Sequence, residues 1–155
     1  MKENDYHASI SVNASAKEAF NSIRDVTKWW TENLEGNTQK LNDEFTVRFE
    51  DMHYSKQKIV ELIPDRKIVW LVTDSHLSWI KDKDEWTNTK ISFEITDKDH
   101  KTQINFTHIG LVPEIECYND CSNAWGQFIH QSLFRLISTG KGQPDLKKKV
   151  EASGT

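Results

Sequence analysis

Apolar and polar residues alternate over most of this chain, and in two places the spacing becomes helical. From Tyr6 to Val12 the apolar positions recur every second residue, which is typical of a half-buried strand. The same period returns between residues 44 and 109, in runs separated by turn residues at 64–67 and 97–101. This pattern predicts a series of antiparallel hairpins with one solvated face.

Helical spacing first appears directly after the opening strand. Ser15 and Glu18 fit a capping box, in which each side chain binds the backbone amide of the other residue. The apolar residues that follow recur at intervals of three and four, which predicts a short helix. Trp29 and Trp30 are predicted to lie in a second short helix that ends near Gly36.

The longest helical pattern covers residues 115–139, and Gly140 follows it where a left-handed cap is expected. At about 1.5 Å per residue, this segment makes a rod of about 37 Å. A curved antiparallel sheet that grips such a rod buries the apolar faces of both. We therefore predict an α+β fold in one domain, residues 1–144, with six or seven strands and a flexible tail at 145–155.

Charge and composition narrow the function classes. The 155 residues include 24 acidic and 20 basic side chains, a net charge of −4 with no basic stripe, which argues against nucleic acid as a partner. The longest apolar run is 68–72, whereas a membrane span needs about 20 residues. The first residues carry no apolar secretory core, and only two cysteines occur. We therefore expect a cytoplasmic protein without a membrane span.

Five groups of short strings, in order along the chain, resemble those of one known family. They are SAKEAF at 15–20, WWT at 29–31, VELIP at 60–64 with IVW at 68–70, THIGL at 107–111, and WG at 125–126 with SL at 132–133 and TGK at 139–141. On these strings the chain resembles the START-like superfamily, and within it the family called activator of the heat shock protein 90 ATPase homologue. The resemblance spans about residues 6–144 and implies a helix-grip fold. It also implies a ligand carrier, a cyclase, a hydrolase or a co-chaperone domain, since this superfamily hosts all of them.

A sheet curved around a helix commonly leaves a cavity that takes apolar ligands. Candidate ligand-binding positions are therefore the aromatic residues, one histidine and two small helix residues that we expect to face this space. They are Trp29, Trp30, Phe45, Phe49, Trp70, Trp79, Phe106, His108, Ser122, Trp125, Gly126 and Phe128. For each of the aromatic residues, plain packing in the core remains the alternative.

Two of these candidates have more specific alternatives. Gly126 costs about 1 kcal/mol relative to alanine inside a helix, so either a ligand or a closely approaching strand is expected beside it. His108 should face inward, either as a hydrogen-bonded core residue or as the polar anchor of a ligand. As a catalytic base it would need a partner, which the sequence does not identify.

The connection after residue 76 is rich in charge at 81–85 and carries Trp86 beyond it. Leu77, Trp79 and Ile80 are expected to be exposed, where they close over the mouth of the cavity or meet a protein partner. The alternative is that they extend the flanking strands and pack at the rim of the sheet.

Catalytic and metal-binding motifs are not found in the sequence. Cys117 and Cys121 lie four residues apart, but no second ligand pair has the spacing of a zinc site, so we expect reduced thiols and no metal. The chain has no phosphate loop, nucleophile elbow or dinucleotide fingerprint, so no cofactor and no catalytic residue are assigned.

Three functions follow from these observations. The favoured one is binding of a hydrophobic or aromatic small molecule, lipids included, in the cavity. The alternative is a protein-interaction module that acts on a chaperone, as the family resemblance implies. The third is a cavity enzyme such as a cyclase or a hydrolase. The sequence leaves the oligomeric state open.

Overall fold

Seven antiparallel strands form one curved sheet in the computed structural model, which describes residues 5–50 and 52–146. The strands are β1 (Tyr6–Val12), β2 (Leu34–Gly36), β3 (Glu44–Phe49), β4 (His53–Ile63), β5 (Lys67–Leu77), β6 (Lys90–Lys98) and β7 (Lys101–Ile109). Their order across the sheet is β1-β7-β6-β5-β4-β3-β2, so only β1 pairs with a strand that is distant in sequence. The predicted antiparallel sheet and its strand number are confirmed.

The turns between the long strands lie where the sequence places them. Asp65 adopts a positive φ of 63° in the turn between β4 and β5. Asp99 and His100 both have positive φ, 52° and 66°, in the two-residue turn between β6 and β7. Such a pair matches the right-handed twist of a hairpin. Register shifts in β4, after Lys56 and after Ile59, bend the sheet around its concave face.

Helix α1 (Ala16–Arg24) begins with the predicted capping box. The Glu18 amide donates to Ser15 Oγ at 3.0 Å, and the Ser15 amide donates to Glu18 Oε1 at 2.9 Å. The second helical segment is a single 3₁₀ turn, Val26–Lys28. Trp29 and Trp30 follow this turn instead of lying within a helix, and both are buried.

The C-terminal helix runs without interruption from 118 to 139. It consists of an α-helical segment (Tyr118–Gln127), a wider π-helical segment (Phe128–Leu133) and a second α-helical segment (Phe134–Thr139). It begins three residues later than the periodicity predicts, because turns and a bend occupy residues 113–117. It ends as predicted at Gly140, whose φ is 86° and whose amide donates to Leu136 O at 2.9 Å.

The chain beyond Gly140 returns across the domain to the segment after Trp30. The Asp145 amide donates to Trp30 O at 2.9 Å, and the Glu32 amide donates to Asp145 O at 2.8 Å. Asp145, where the flexible tail was expected to begin, is therefore paired with this segment, while residues 147–155 of that tail lie outside the described ones. Within the described ranges, none of the helices combines the length and the apolar character that crossing a bilayer requires.

Candidate ligand pocket between the sheet and the C-terminal helix

A cavity of about 330 Å³ lies between the turn from β3 to β4, Trp30 and the first half of the C-terminal helix. Its wall is mainly aromatic: Trp30, Phe49, Trp79, Trp86, Trp125 and Phe128. The remaining lining side chains are Met52, His53, Cys121, Ala124 and the acidic Glu50, Asp120 and Asp145. This volume lies at the lower end of the range for small-molecule sites.

Five helix residues reach the pocket because they lie on one side of the helix. Asp120, Cys121, Ala124, Trp125 and Phe128 lie at intervals of one, three, one and three residues, which aligns their side chains along about two turns. The opposite wall comes from the end of β3, the start of β4 and the connection between β5 and β6. The site therefore combines side chains that are far apart in sequence.

Five of the twelve sequence candidates line the pocket: Trp30, Phe49, Trp79, Trp125 and Phe128. Four others lie in the core and do not reach it: Trp29, Phe45, Trp70 and Phe106. Two of these support the lining rings from behind. Trp70 stacks on Trp30 at 5.8 Å, and Phe106 contacts Trp125 at 4.7 Å between ring centroids.

Ser122 and Gly126 lie on a neighbouring face of the helix and do not line the pocket. The Ser122 hydroxyl donates to the Tyr118 carbonyl within the helix. A Cβ atom added to Gly126 would meet the Tyr6 hydroxyl of β1 at 3.6 Å, an ordinary van der Waals distance. The sequence left either a ligand or a strand as the neighbour of Gly126. The structure places strand β1 there, far enough away to leave room for a methyl group.

His108 is fully buried and does not reach the pocket, but it holds one of the pocket walls in place. Trp125 Nε1 donates to His108 Nδ1 at 3.0 Å, and His108 Nε2 lies 2.8 Å from Thr89 Oγ1. Because Thr89 Oγ1 donates to Trp86 O at 2.6 Å, the hydroxyl oxygen accepts the Nε2 proton. His108 is thus a neutral core residue whose partners are an indole and a hydroxyl, rather than a carboxylate.

Electrostatics agree with this proton assignment. Burial lowers the pKa of His108 to about 3, and the nearby His53 adds to the effect. A second proton would have to reside on Nδ1, where it would face the Trp125 N–H. His108 therefore positions Trp125 and holds no mobile proton near neutral pH.

His53 is a pocket residue that the sequence analysis missed. It is enclosed by the rings of Phe49 at 5.1 Å and Trp86 at 4.7 Å, and its Nε2 lies 2.9 Å from Ser55 Oγ. Burial lowers its pKa to about 3, so the ring is neutral. The signal for its position was the alternation along β4, in which His53, Ser55 and Gln57 all point to the concave face.

Trp86 stands at the centre of this arrangement, between His53 and His108. Both histidine rings meet it edge to face at 4.7 Å, and Trp125 stacks against it at 5.9 Å. Trp86 is 4% exposed, and its Nε1 is enclosed, with the Cys121 thiol, a weak sulfur acceptor, as its neighbour.

The two cysteines are free and buried, as expected. A hydrogen bond with the Cys117 thiol, followed by burial, raises the pKa of Cys121 far above its usual range, although the nearby Trp86 N–H opposes this shift. Cys121 therefore presents a protonated thiol to the pocket, which suits packing better than nucleophilic attack.

The connection between β5 and β6 differs in part from the expectation. Leu77 belongs to β5 and is fully buried, and Ile80 is 5% exposed, so the prediction that both are exposed is wrong. Apolar residues in a charged connection reach the core here because the connection folds against the turn that precedes the C-terminal helix. The Lys81 amide donates to Glu116 Oε1 at 3.0 Å. Trp79 alone of the three remains at the surface, beside the pocket.

Comparison with known proteins matches residues 17–137 to the family described as Activator of Hsp90 ATPase homolog 1-like protein. The fold is similar to the solution structure of the Aha1 dimer from Colwellia psychrerythraea, with a TM-score of 0.72, 23% identity, and 89% of this chain and 98% of that chain covered. It is similar to SSP2350 from Staphylococcus saprophyticus, with a TM-score of 0.60, 13% identity, and 92% and 98% covered. No curated protein matches the chain.

DynU16, a protein in the dynemicin biosynthetic locus, is also similar, with a TM-score of 0.66 and 15% identity. This chain is covered over 94% of its length and spans about half of DynU16, 52%. The sheet, the gripped helix and these neighbours define a helix-grip fold. Since the family match extends over most of the chain, the protein belongs to the Activator of Hsp90 ATPase homolog 1-like family.

Proposed function

We propose that this protein binds a small apolar or aromatic molecule in the pocket beside the C-terminal helix. The observation that carries the proposal is the aromatic wall around about 330 Å³ of space. A ligand that enters this space gains apolar burial on several rings at once. The reduced Cys117 and Cys121 support a cytoplasmic location for this function.

Naphthalene is a suitable first probe, because it is flat, apolar and carries no polar group. We expect isothermal titration calorimetry to show saturable binding to the full chain. Ala124 is exposed and lines the pocket, so Ala124→Phe should overpack the site and weaken binding by roughly tenfold. Asn123→Phe is the matched control, since Asn123 is also exposed on the same helix but does not line the pocket.

The proposal fails if the wild-type chain does not bind naphthalene or larger flat hydrocarbons such as anthracene. It also fails if Ala124→Phe and Asn123→Phe change the affinity equally, because binding would then occur elsewhere on the surface.

The family assignment supports a second candidate, stimulation of an Hsp90-class ATPase. Met52 is 50% exposed and Trp79 36% exposed beside the pocket, and together they offer apolar surface to a protein partner. If this candidate is right, saturating amounts of the chain should stimulate the ATPase of a cognate Hsp90, and Met52→Glu should weaken the effect. No stimulation at saturation would exclude it.

A further inference from the structure

We infer that the pocket selects organic cations, in which an ammonium group is attached to an apolar or aromatic body. This inference rests on the proposed function and names the charge class of the ligand. Two independent observations carry it: an unstacked, partly exposed tryptophan at the mouth of the pocket, and the sign of the charges on the lining.

The tryptophan at the mouth is Trp79. In the other pocket tryptophans the ring faces cover one another: Trp125 stacks on Trp30 at 4.9 Å and on Trp86 at 5.9 Å between ring centroids. Trp79 is 36% exposed and, in the described part of the chain, stacks on no other ring. Its π face is therefore available to a ligand, and indole is the side chain that attracts a cation most strongly.

A carboxylate lies beside this ring. Trp79 Nε1 donates to Asp120 Oδ2 at 3.1 Å, and both side chains line the pocket. The indole N–H is neutral, so this bond holds the carboxylate beside the ring without cancelling its charge. An ammonium group at this point of the mouth can contact a π face and a negative charge together. Because both residues are exposed, the ammonium group keeps part of its hydration while the apolar body enters the cavity.

The other charges of the lining have the same sign as Asp120. Glu50 and Asp145 add two carboxylates, and no lysine or arginine is present among the described residues that line the pocket. The His53 ring is neutral, because burial lowers its pKa to about 3. The lining therefore attracts a cationic ligand and repels an anionic one.

Three probes of similar shape separate charge from apolar burial. Trimethylphenylammonium, tert-butylbenzene and benzenesulfonate each carry a tetrahedral group on one benzene ring, and this group is positive, neutral and negative in turn. By calorimetry at pH 7 and low salt, we expect the ammonium probe to bind about 3- to 20-fold more tightly than tert-butylbenzene, as one exposed cation–π contact and one exposed ion pair predict. Benzenesulfonate should bind most weakly of the three.

Asp120→Asn removes the charge but keeps an acceptor for the Trp79 N–H. We expect the preference for the ammonium probe over tert-butylbenzene to fall by about 2- to 5-fold. Asp97→Asn is the matched control and should keep the preference, because Asp97 is an exposed carboxylate near the far end of β6 that does not line the pocket. Trp79→Leu should lower the preference by a similar factor, whereas Phe128→Leu, which also removes a pocket ring, should not.

The salt dependence of binding to the wild type is a second measurement, which requires no variant. Raising the ionic strength from about 0.01 M to 1 M shortens the Debye length from about 30 Å to about 3 Å, so the preference for the ammonium probe should shrink. Equal binding of the ammonium and neutral probes, equally tight binding of benzenesulfonate, or a preference that neither salt nor Asp120→Asn lowers would each overturn the inference while the proposed function stands. Failure of all three probes and of the plain hydrocarbons to bind would overturn the proposed function itself.

Discussion

Gln57 places a polar side-chain amide in a fully buried position. It lies on the concave face of β4 and is fully buried, and among the described residues neither Oε1 nor Nε2 of its amide has a hydrogen-bond partner. Two residues earlier, Ser55 is equally buried but lies 2.9 Å from His53 Nε2. The two side chains therefore predict opposite effects when their polar atoms are removed.

Gln57→Met should raise the free energy of unfolding by about 1–3 kcal/mol, because the desolvation cost of the unpaired amide disappears while the volume is nearly kept. Ser55→Ala should lower it by about 1 kcal/mol, since a buried hydrogen bond is lost. Urea unfolding of both variants provides the measurement. A less stable Gln57→Met protein would contradict the prediction.

Local rules explain which single residues were predictable. The capping box of Ser15 and Glu18 depends on four consecutive positions, and Gly140 depends on the end of one helix, so both could be predicted from sequence. The roles of His108 and Trp86 depend on partners contributed by other elements, such as Thr89 and Trp125. The spacing of residues along the chain shows which aromatic rings face inward. It does not show which of these rings line a cavity and which pack in the core.

The C-terminal helix makes two kinds of contact along its length, and the change falls at the start of its π-helical segment. Up to Phe128, the first residue of that segment, one face lines the pocket; beyond it, Ile129, Leu133 and Leu136 pack in the core. The Ser132 hydroxyl in the widened turn donates to Trp29 O at 2.7 Å and accepts from the Gln143 amide at 2.8 Å. The sequence predicted one continuous helix, because a π segment changes the hydrogen bonds without breaking the apolar pattern.

Gly126→Ala should stabilise the protein by about 1 kcal/mol. The alanine methyl group meets only the Tyr6 hydroxyl at an ordinary distance, and the helix loses its flexible interior residue. Gly140→Ala is the contrasting variant and should destabilise by about 1 kcal/mol or more, since its φ of 86° suits glycine. Thermal unfolding distinguishes the two. Loss of stability in Gly126→Ala would mean that β1 lies closer than the structure shows.

Across the whole domain, the antiparallel sheet, its strand number and the gripped helix were predictable, whereas strand β2 and the lining of the pocket were not. β2 has only three residues and depends on its partner β3 for its definition. The pocket is the space left after rings from several elements have packed, so its position follows from their combined volumes. The sequence could therefore propose inward aromatic residues, but it could not separate the five candidates that line the pocket from those that pack in the core.

Acid should destabilise the whole domain through its two buried histidines. In the folded state His53 and His108 have pKa values of about 3, and in the unfolded chain the ordinary value is about 6.5. Between these values the unfolded state binds more protons, so stability falls as the pH falls. From pH 7 to pH 5 each histidine should remove about 2 kcal/mol.

His53→Phe should remove about half of this pH dependence, whatever its effect on stability at pH 7. His76→Gln serves as the control, because His76 is exposed, and should leave the dependence as it is in the wild type. Urea unfolding at pH 7, 6 and 5 measures the slope. A pH-independent stability over this interval would show that the two rings are not held neutral.

The pairing of β1 with β7 also has a consequence for synthesis on the ribosome. Ser9 and its partner Asn105 are 96 residues apart, so β1 leaves the ribosome before its partner strand β7 has been synthesised. At roughly 5–20 residues per second, this wait lasts about 5–20 s. The strands between them pair with their neighbours in sequence and can form hairpins as they are synthesised. The sheet is therefore complete only when β1, the first strand synthesised, pairs with β7, the last.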